Sequence, residues 1–265
     1  MNSTTKKIIN VMTANIRFAN KADGENNWPN RKSFVADIIN EESIDLLGTQ
    51  EGREGQIKEL CSLLNNLKLI EGHREWIEER MYPCLYYNEN RFKLKNSGDI
   101  WLSETPHIKA SKSFGSMFPR LCTYAFMEQL EDQKNFLLIN CHLDHLQEEI
   151  RLKQIKVLIQ EIEKLNSEKL PIVLLGDFNS GPYQSVRQEI DLSQLNLKDP
   201  WIESSKEEVS SFHKFDGIDP TGDSLRIDWT LIDKKISFTE IKIIKESRND
   251  FFPSDHFFIK TSFSF

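Results

Sequence analysis

Six apolar runs in this chain are interrupted, followed or preceded by a carboxylate, an amide or an imidazole. Asn15 interrupts Ile8–Ile16, and Gln50-Glu51 follows Ile44–Leu47 after a Gly-Thr pair. His142 and Asp144 end Phe136–Cys141, while Asp177 and Asn179 end Pro171–Leu175. Asp228 sits in Ile227–Ile232, and Asp255-His256 precedes Phe257–Phe263. Short apolar runs with little polar alternation read as strands buried on both faces. In a layered sheet the polar ends of such strands gather along one edge, where sites form.

Helical stripes separate several of these runs. Arg31–Glu42 carries Phe34, Val35, Ile38 and Ile39 at helical spacing. Gln56–Leu67 places Ile57, Leu60, Leu63, Leu64 and Leu67 on one face. Glu148–Leu165 is the clearest helix, with Ile150, Ile155, Leu158, Ile159, Ile162 and Leu165 opposite its charges. Pro83–Tyr87, Ile100–Leu102 and Ile236–Ile244 add strands. Ala125–Met127 pairs with Phe136–Leu143 through a polar turn at Glu131–Asn135. Strands with a few crossover helices give a layered α/β architecture. No linker, repeat or shift of composition divides the chain, so one domain is expected over residues 6–265. Trp28-Pro-Asn-Arg-Lys32 starts a helix, with Arg31 and Lys32 expected in solvent or else near substrate.

Composition removes several classes. At 265 residues and 38% hydrophobic, the chain can build a core. No stretch approaches the roughly 20 apolar residues that cross a bilayer. The start, Met-Asn-Ser-Thr-Thr-Lys-Lys, has no apolar signal core, which predicts a cytoplasmic protein. Cys61, Cys84, Cys122 and Cys141 lie far apart and read as buried thiols rather than a zinc site. The net charge of −7 and the scattered basic residues, with short pairs at Lys6-Lys7 and Lys234-Lys235, weaken the case for a protein tracking duplex DNA. A monomer is expected.

Each polar strand end has a plain structural explanation. Asn15 closes a turn, Glu51 caps a helix, and Asp177-Phe-Asn179-Ser is an Asx turn. Together they are harder to dismiss, because burying several carboxylates is costly without a cation. An oxygen-rich, thiol-free ligand set suits Mg2+, with Mn2+ as the other fit.

The motifs resemble the endonuclease/exonuclease/phosphatase superfamily of Mg2+-dependent phosphoesterases. The matching segments are Thr13-Ala-Asn-Ile-Arg17, Gly48-Thr-Gln-Glu51, Asn140-Cys-His-Leu-Asp-His145, Gly176-Asp-Phe-Asn-Ser180, Ser211-Phe-His-Lys-Phe-Asp-Gly217, Arg226-Ile-Asp-Trp229 and Pro253-Ser-Asp-His256. They follow the family's order across nearly the whole chain. Trp101-Leu-Ser-Glu-Thr-Pro106 and Pro119-Arg-Leu-Cys-Thr123 further resemble a mostly bacterial branch. The resemblance implies a four-layered α/β sandwich, two mixed β-sheets packed face to face with helices outside.

It also implies roles. Glu51 is the expected main Mg2+ ligand, with Asn15 beside it and Asp255 completing the site. Asp177 orients or deprotonates the attacking water, and Asn179 holds that water or a phosphate oxygen. His256 binds the scissile phosphate with Asp228 fixing its ring, and His142 contacts the phosphate from the other side. Arg17 and Arg120 match phosphate-contacting positions. One departure stands out: the family often has a glutamate, the usual partner of the histidine at His142, where this chain has Met81. Glu79 or Glu104 then substitutes, or His142 lacks a carboxylate.

Other features carry less chemistry. Trp229 and Phe212 read as core or pocket wall, and His145 and His213 as supporting or structural groups. Ser254-Asp255-His256, being consecutive, does not make a serine-hydrolase triad. The expected activity is metal-dependent hydrolysis of a phosphodiester or phosphomonoester in a nucleic acid, nucleotide, inositol phosphate or lipid headgroup. The competing function is a binding module that keeps the fold without catalysis.

Overall fold

The computed structural model describes residues 8–220, 222 and 225–265. Lys6 and Lys7, where the expected domain span begins, lie outside the described residues. The elements in chain order are β1 (Ile9–Asn15), α1 (Trp28–Glu41), β2 (Leu46–Gly52), α2 (Glu54–Leu63), β3 (Lys68–Leu69), β4 (Tyr82–Tyr87), β5 (Phe92–Trp101) and β6 (Leu121–Gln129). Then come β7 (Lys134–His142), α3 (Glu148–Leu165), β8 (Ile172–Asp177), α4 (Ser185–Leu192), β9 (Leu197–Lys198), α5 (Pro200–Glu203), β10 (Asp228–Asp233), β11 (Ser237–Ile244) and β12 (Phe258–Ser264).

These strands form two six-stranded sheets, ordered β11-β12-β1-β2-β4-β3 and β5-β6-β7-β8-β10-β9. Both are mixed: β1 runs parallel to β2 and β7 parallel to β8, while the other pairings are antiparallel. Alternation along each central strand explains the layers. Ile9 and Val11 of β1 meet Leu138 of β7 and Val173 and Leu175 of β8 in a core between the sheets. Met12 and Ala14 turn outward beneath α1 and α2. Leu137 and Ile139 of β7 and Leu174 of β8 turn outward beneath α3 and α4. The expected four-layered sandwich is therefore the observed one.

Some details differ from the expectation. Arg31 is fully buried rather than solvated. Its guanidinium donates to the carbonyls of Asn26, Ile16, Arg17 and Pro253, tying α1 to both segments that flank the site. Helix α2 ends at Leu63, which is 38% exposed, and Leu64 and Leu67 are buried from the loop that follows. Cys84, Cys122 and Cys141 are buried thiols, whereas Cys61 is half-buried. No helix among the described residues is long and apolar enough to cross a membrane.

A buried ion pair braces the sheet carrying β5 and β6. The Arg74 guanidinium donates to Asp99 through Nε (2.9 Å) and Nη2 (2.7 Å) and to Thr123 Oγ1 (2.6 Å). Burial would raise the Asp99 pKa, but Arg74 and His73 overcome this and hold it well below the usual range. Asp99→Asn leaves a buried guanidinium without its counter-charge, so a loss of about 3 kcal/mol is expected at pH 7. A depressed carboxylate stabilises the fold above its unfolded-state pKa of about 4 and loses that contribution as pH falls through the folded value. The gap between variant and wild type should therefore narrow in urea unfolding at pH 3. An equal gap at pH 3 and pH 7 would contradict this account.

Candidate active site

The polar ends of the strands meet at one edge of the sandwich. Asn15 closes β1, Glu51 lies in the last turn of pairing of β2, His142 closes β7 and Asp177 closes β8. Asp228 opens β10, and Asp255-His256 lies one residue before β12. Register makes the juxtaposition specific. His142 is the parallel partner of Asp177, and Asp177 is the antiparallel partner of Asp228, so three site residues lie side by side. All three continue the inward-facing set of their strands, as does Asn15 on the opposing sheet. Asn15 Nδ2 accordingly donates across the sandwich to Asp177 Oδ2 at 2.9 Å.

A buried amide network underlies this contact. Gln50 Nε2 donates to Asn140 Oδ1 (2.7 Å) and Thr13 Oγ1 (3.0 Å). Asn140 Nδ2 donates to the Thr49 and Cys84 carbonyls. Four strands of the two sheets are thus joined just below the site by buried amide hydrogen bonds.

Asp177, Asp228 and His256 form a tight ionisable group. His256 Nδ1 lies 2.8 Å from Asp228 Oδ2, and its Nε2 lies 4.0 Å from Asp177 Oδ2. Burial alone would lower the His256 pKa, but the Asp228, Asp177 and Asp255 carboxylates outweigh it and push the value up to about 10. The ring is an imidazolium at neutral pH. Asp177 is pushed up to about 7 by burial and by the charge of Asp228, opposed by His256. Its Oδ1 accepts the Asn179 N–H at 2.9 Å. Asn179 Nδ2 donates to the Leu143 carbonyl. Ser211 Oγ accepts the N–H groups of both Ile227 and Asp228, which holds the start of β10 in place.

Glu51 owes its position to a break in pairing. The β2–β4 register shifts between Thr49 and Gly52, and Glu51 has φ of 68°. The bulge re-aims its side chain into the site. Glu51 Oε2 accepts the Phe18 N–H (3.2 Å), and Oε1 lies 3.4 Å from Asn15 Nδ2. A Cβ at Gly52 would come within 2.1 Å of Ile57 Cδ1, so any larger residue there would force the Ile57 side chain of α2 to shift. Arg17 and Asn179 also have positive φ, so three site residues hold the left-handed conformation. Asp255 is raised by burial and by the charge of Glu51, with His256 opposing. Arg17 pairs with Asp23 at 3.0 Å, and its Nε lies 3.8 Å from Asp255.

His142 has a different setting. Arg120 Nη1 lies 3.0 Å from its Nδ1 and 3.1 Å from its Nε2, and Arg120 Nη2 lies 3.2 Å from His145 Nδ1. The nearest carboxylate oxygen is Asp177 Oδ2, 3.5 Å from Nε2. Neither alternative glutamate serves: Glu79 pairs with Arg53, and Glu104 is exposed, with its backbone N–H on Ser113. Burial and the Arg120 charge hold the His142 pKa well below its ordinary value, so this ring is neutral. Trp229 is core, stacked on Phe178 at 4.2 Å. Phe212 is a site wall, with its ring 5.0 Å from His256. His213 is structural, buried and stacked on Phe257 at 3.9 Å.

These groups line a cavity of about 430 Å3 whose rim includes Phe18, Met81, Met117 and Phe118. Of the residues expected at the site, Arg17, Glu51, Arg120, His142, Asp177, Asn179, Asp255 and His256 line it, while Asn15 and Asp228 stand behind the lining, bonded to Asp177 and His256. Sequence patterning assigns no role to Asp23, Phe18 or Ser211. Ser211 opens one of the matched motifs, and Phe18 directly follows another, but their contacts depend on loop conformation.

Two donor sets could hold a metal. Asp177, Asp228 and His256 place ligand atoms within 4.8 Å of one another. There, however, the His256 ring is charged and bonded to Asp228, and a protonated imidazole nitrogen is not a ligand. Asn15, Glu51 and Asp255 offer only oxygens. The like charge of Glu51 helps to raise the Asp255 carboxyl despite His256, Arg17 and Arg31, and the nearest guanidinium, Arg17, is shared with Asp23. The second set suits a hard dication.

A family model described as Endonuclease/Exonuclease/phosphatase family matches residues 12–256. No curated protein matches the sequence. Among solved structures, an endonuclease/exonuclease/phosphatase from Bacteroides vulgatus is 26% identical, with a TM-score of 0.89 over 98% of this chain and 99% of that one. A mannosyl-6-phosphatase from Bacteroides thetaiotaomicron is 24% identical, with a TM-score of 0.84 over 97% of this chain and 100% of that one. The human Nocturnin catalytic domain, solved with a bound sulfate anion, is 22% identical, with a TM-score of 0.73 over 98% and 97%.

Proposed function

The chain belongs to the endonuclease/exonuclease/phosphatase family, and we propose that it hydrolyses phosphate esters by in-line attack of water with help from a divalent cation. The observation that carries this reading is the meeting of Asp177, Asp228 and His256 beside Asn15, Glu51 and Asp255. Asn15, Glu51 and Asp255 would hold Mg2+ or Mn2+, which neutralises a phosphate oxygen and stabilises the leaving oxygen.

The chain's own side chains do the rest. Asp177 takes the proton of the attacking water, for which a carboxylate raised to about 7 is matched to neutral pH. Asn179 is tethered to Leu143 by one N–H, which leaves its second N–H and its carbonyl for the water or a phosphate oxygen. His256, charged and oriented by Asp228, donates from Nε2 to a phosphate oxygen. Arg120 is buried against two histidines rather than a carboxylate, so its charge suits a substrate oxygen. Arg17 closes the other side.

The test is hydrolysis of p-nitrophenyl phosphate and bis-p-nitrophenyl phosphate with Mg2+, Mn2+ or EDTA. Turnover is expected only with added metal. Glu51→Gln should keep the circular dichroism spectrum and lose metal-dependent turnover by about 10²-fold or more, since a ligand charge is removed. Full activity in EDTA would sink the metal role. Inactivity on esters of every class with metal present would favour the non-catalytic binding module.

A further inference from the structure

A second space of about 140 Å3 continues from the reaction centre, and Phe18, Met81, Phe118, Arg120 and His142 line both. Arg53, Arg80 and Glu79 line only this extension. The Nε atoms of Arg53, Arg80 and Arg120 are all buried without a hydrogen-bond partner. Only one other arginine nitrogen among the described residues shares that condition, Arg226 Nη1. Leaving a buried donor without an acceptor is costly, so three on one crevice need an explanation.

Charge points the same way. The Arg80 side chain has no ion pair or hydrogen bond among the described residues. Arg120 contacts histidines alone. Arg53 Nη1 has the Ala19 carbonyl at 3.3 Å and Glu79 at 2.7 Å, but Glu79 is 72% exposed there and free to turn to solvent. Three guanidinium groups thus line the extension beside a single lining carboxylate, Glu79, and the thioether of Met81 lines both spaces. A neutral apolar ligand would leave these donors unpaired, whereas planar guanidinium groups match carboxylate or phosphate oxygens.

We propose that this crevice is an anion subsite, and that the substrate is a phosphate ester whose non-reacting part carries a second anionic group, a phosphate or a carboxylate. This rests on the phosphate-ester reading of the adjoining site. The anion extends past Met81 to Arg80, with Arg53 at its flank. Met81 lets it pass, since a carboxylate at that position would repel it and pair with Arg120.

Binding and turnover separate the two proposals. Calorimetric titration in EDTA with glucose 6-phosphate and glucose 1,6-bisphosphate reads the subsite without catalysis. The protein should bind the bisphosphate at least tenfold more tightly. Arg80→Gln and Met81→Glu should each cut that preference below threefold, with melting curves confirming that both variants are folded. Equal affinity for the two probes, no binding of either, or a preference that survives Arg80→Gln would overturn the subsite. Preference for the bisphosphate in a protein that hydrolyses no phosphate ester would uphold the subsite and overturn only the catalytic reading.

Discussion

Asp177→Asn is expected to lower kcat on a p-nitrophenyl ester by about 10³-fold, within the range that a positioned general base contributes. The amide keeps the size of the side chain and can accept one of the two bonds that the Asp177 oxygens receive from Asn15 Nδ2 and the Asn179 N–H, so the site should stay assembled. The same change should stabilise the fold. Asp177 is 1% exposed and faces Asp228, which with burial pushes its pKa up to about 7. Its folded value thus exceeds the unfolded one. The folded state then binds the extra proton, and stability falls as pH rises from about 4 towards 7. Replacing the group removes that penalty. In EDTA the gain in melting temperature should be larger at pH 8 than at pH 5. A variant that is inactive and also less stable at pH 8 would mean that Asp177 serves the fold rather than the chemistry.

The central strands were legible in the sequence because they are buried on both faces. A run such as Pro171–Leu175 has no solvent side to break its apolar pattern. Helix α3 was equally clear, since a long stripe opposite charges has one interpretation. The short elements were not. Helix α4 buries only Val186, Arg187 and Ile190, and β9 is two residues long, so neither gives a period to read. Arg31 was misplaced because its partners are backbone carbonyls, which no side-chain pattern announces.

The site was legible for a related reason. Asn15, His142, Asp177 and Asp228 lie at even spacing from inward-facing apolar residues on their own strands, so the alternation that builds the inter-sheet core also aims them. Glu51 breaks that rule. Its orientation comes from the bulge before Gly52 and a positive φ, features of the pairing rather than of the pattern. What pairs with His142 was beyond reach too. Met81 showed that a carboxylate was missing, but Arg120 reaches the ring from the segment before β6, 22 residues earlier in the chain.

That difference between the two histidines sets the final expectation. His256→Ala should lower kcat by about 10³-fold, and His142→Ala by about tenfold, on the same ester. His256 is held at 2.8 Å by Asp228 and carries a proton, so it gives a phosphate oxygen a charge-assisted bond that strengthens as negative charge develops. His142 is neutral, because burial and Arg120 both oppose its protonation, and an arginine N–H on its ring needs an unprotonated nitrogen. A neutral donor contributes roughly half as much. Asp228→Asn supplies the control. It keeps a hydrogen-bonding group against Nδ1 but removes the charge that raises the His256 pKa, so the alkaline limb of the kcat profile should move to lower pH. His142→Ala should leave that limb in place. A larger loss from His142→Ala than from His256→Ala, or an alkaline limb indifferent to Asp228→Asn, would show that the charged ring is not the one that meets the phosphate.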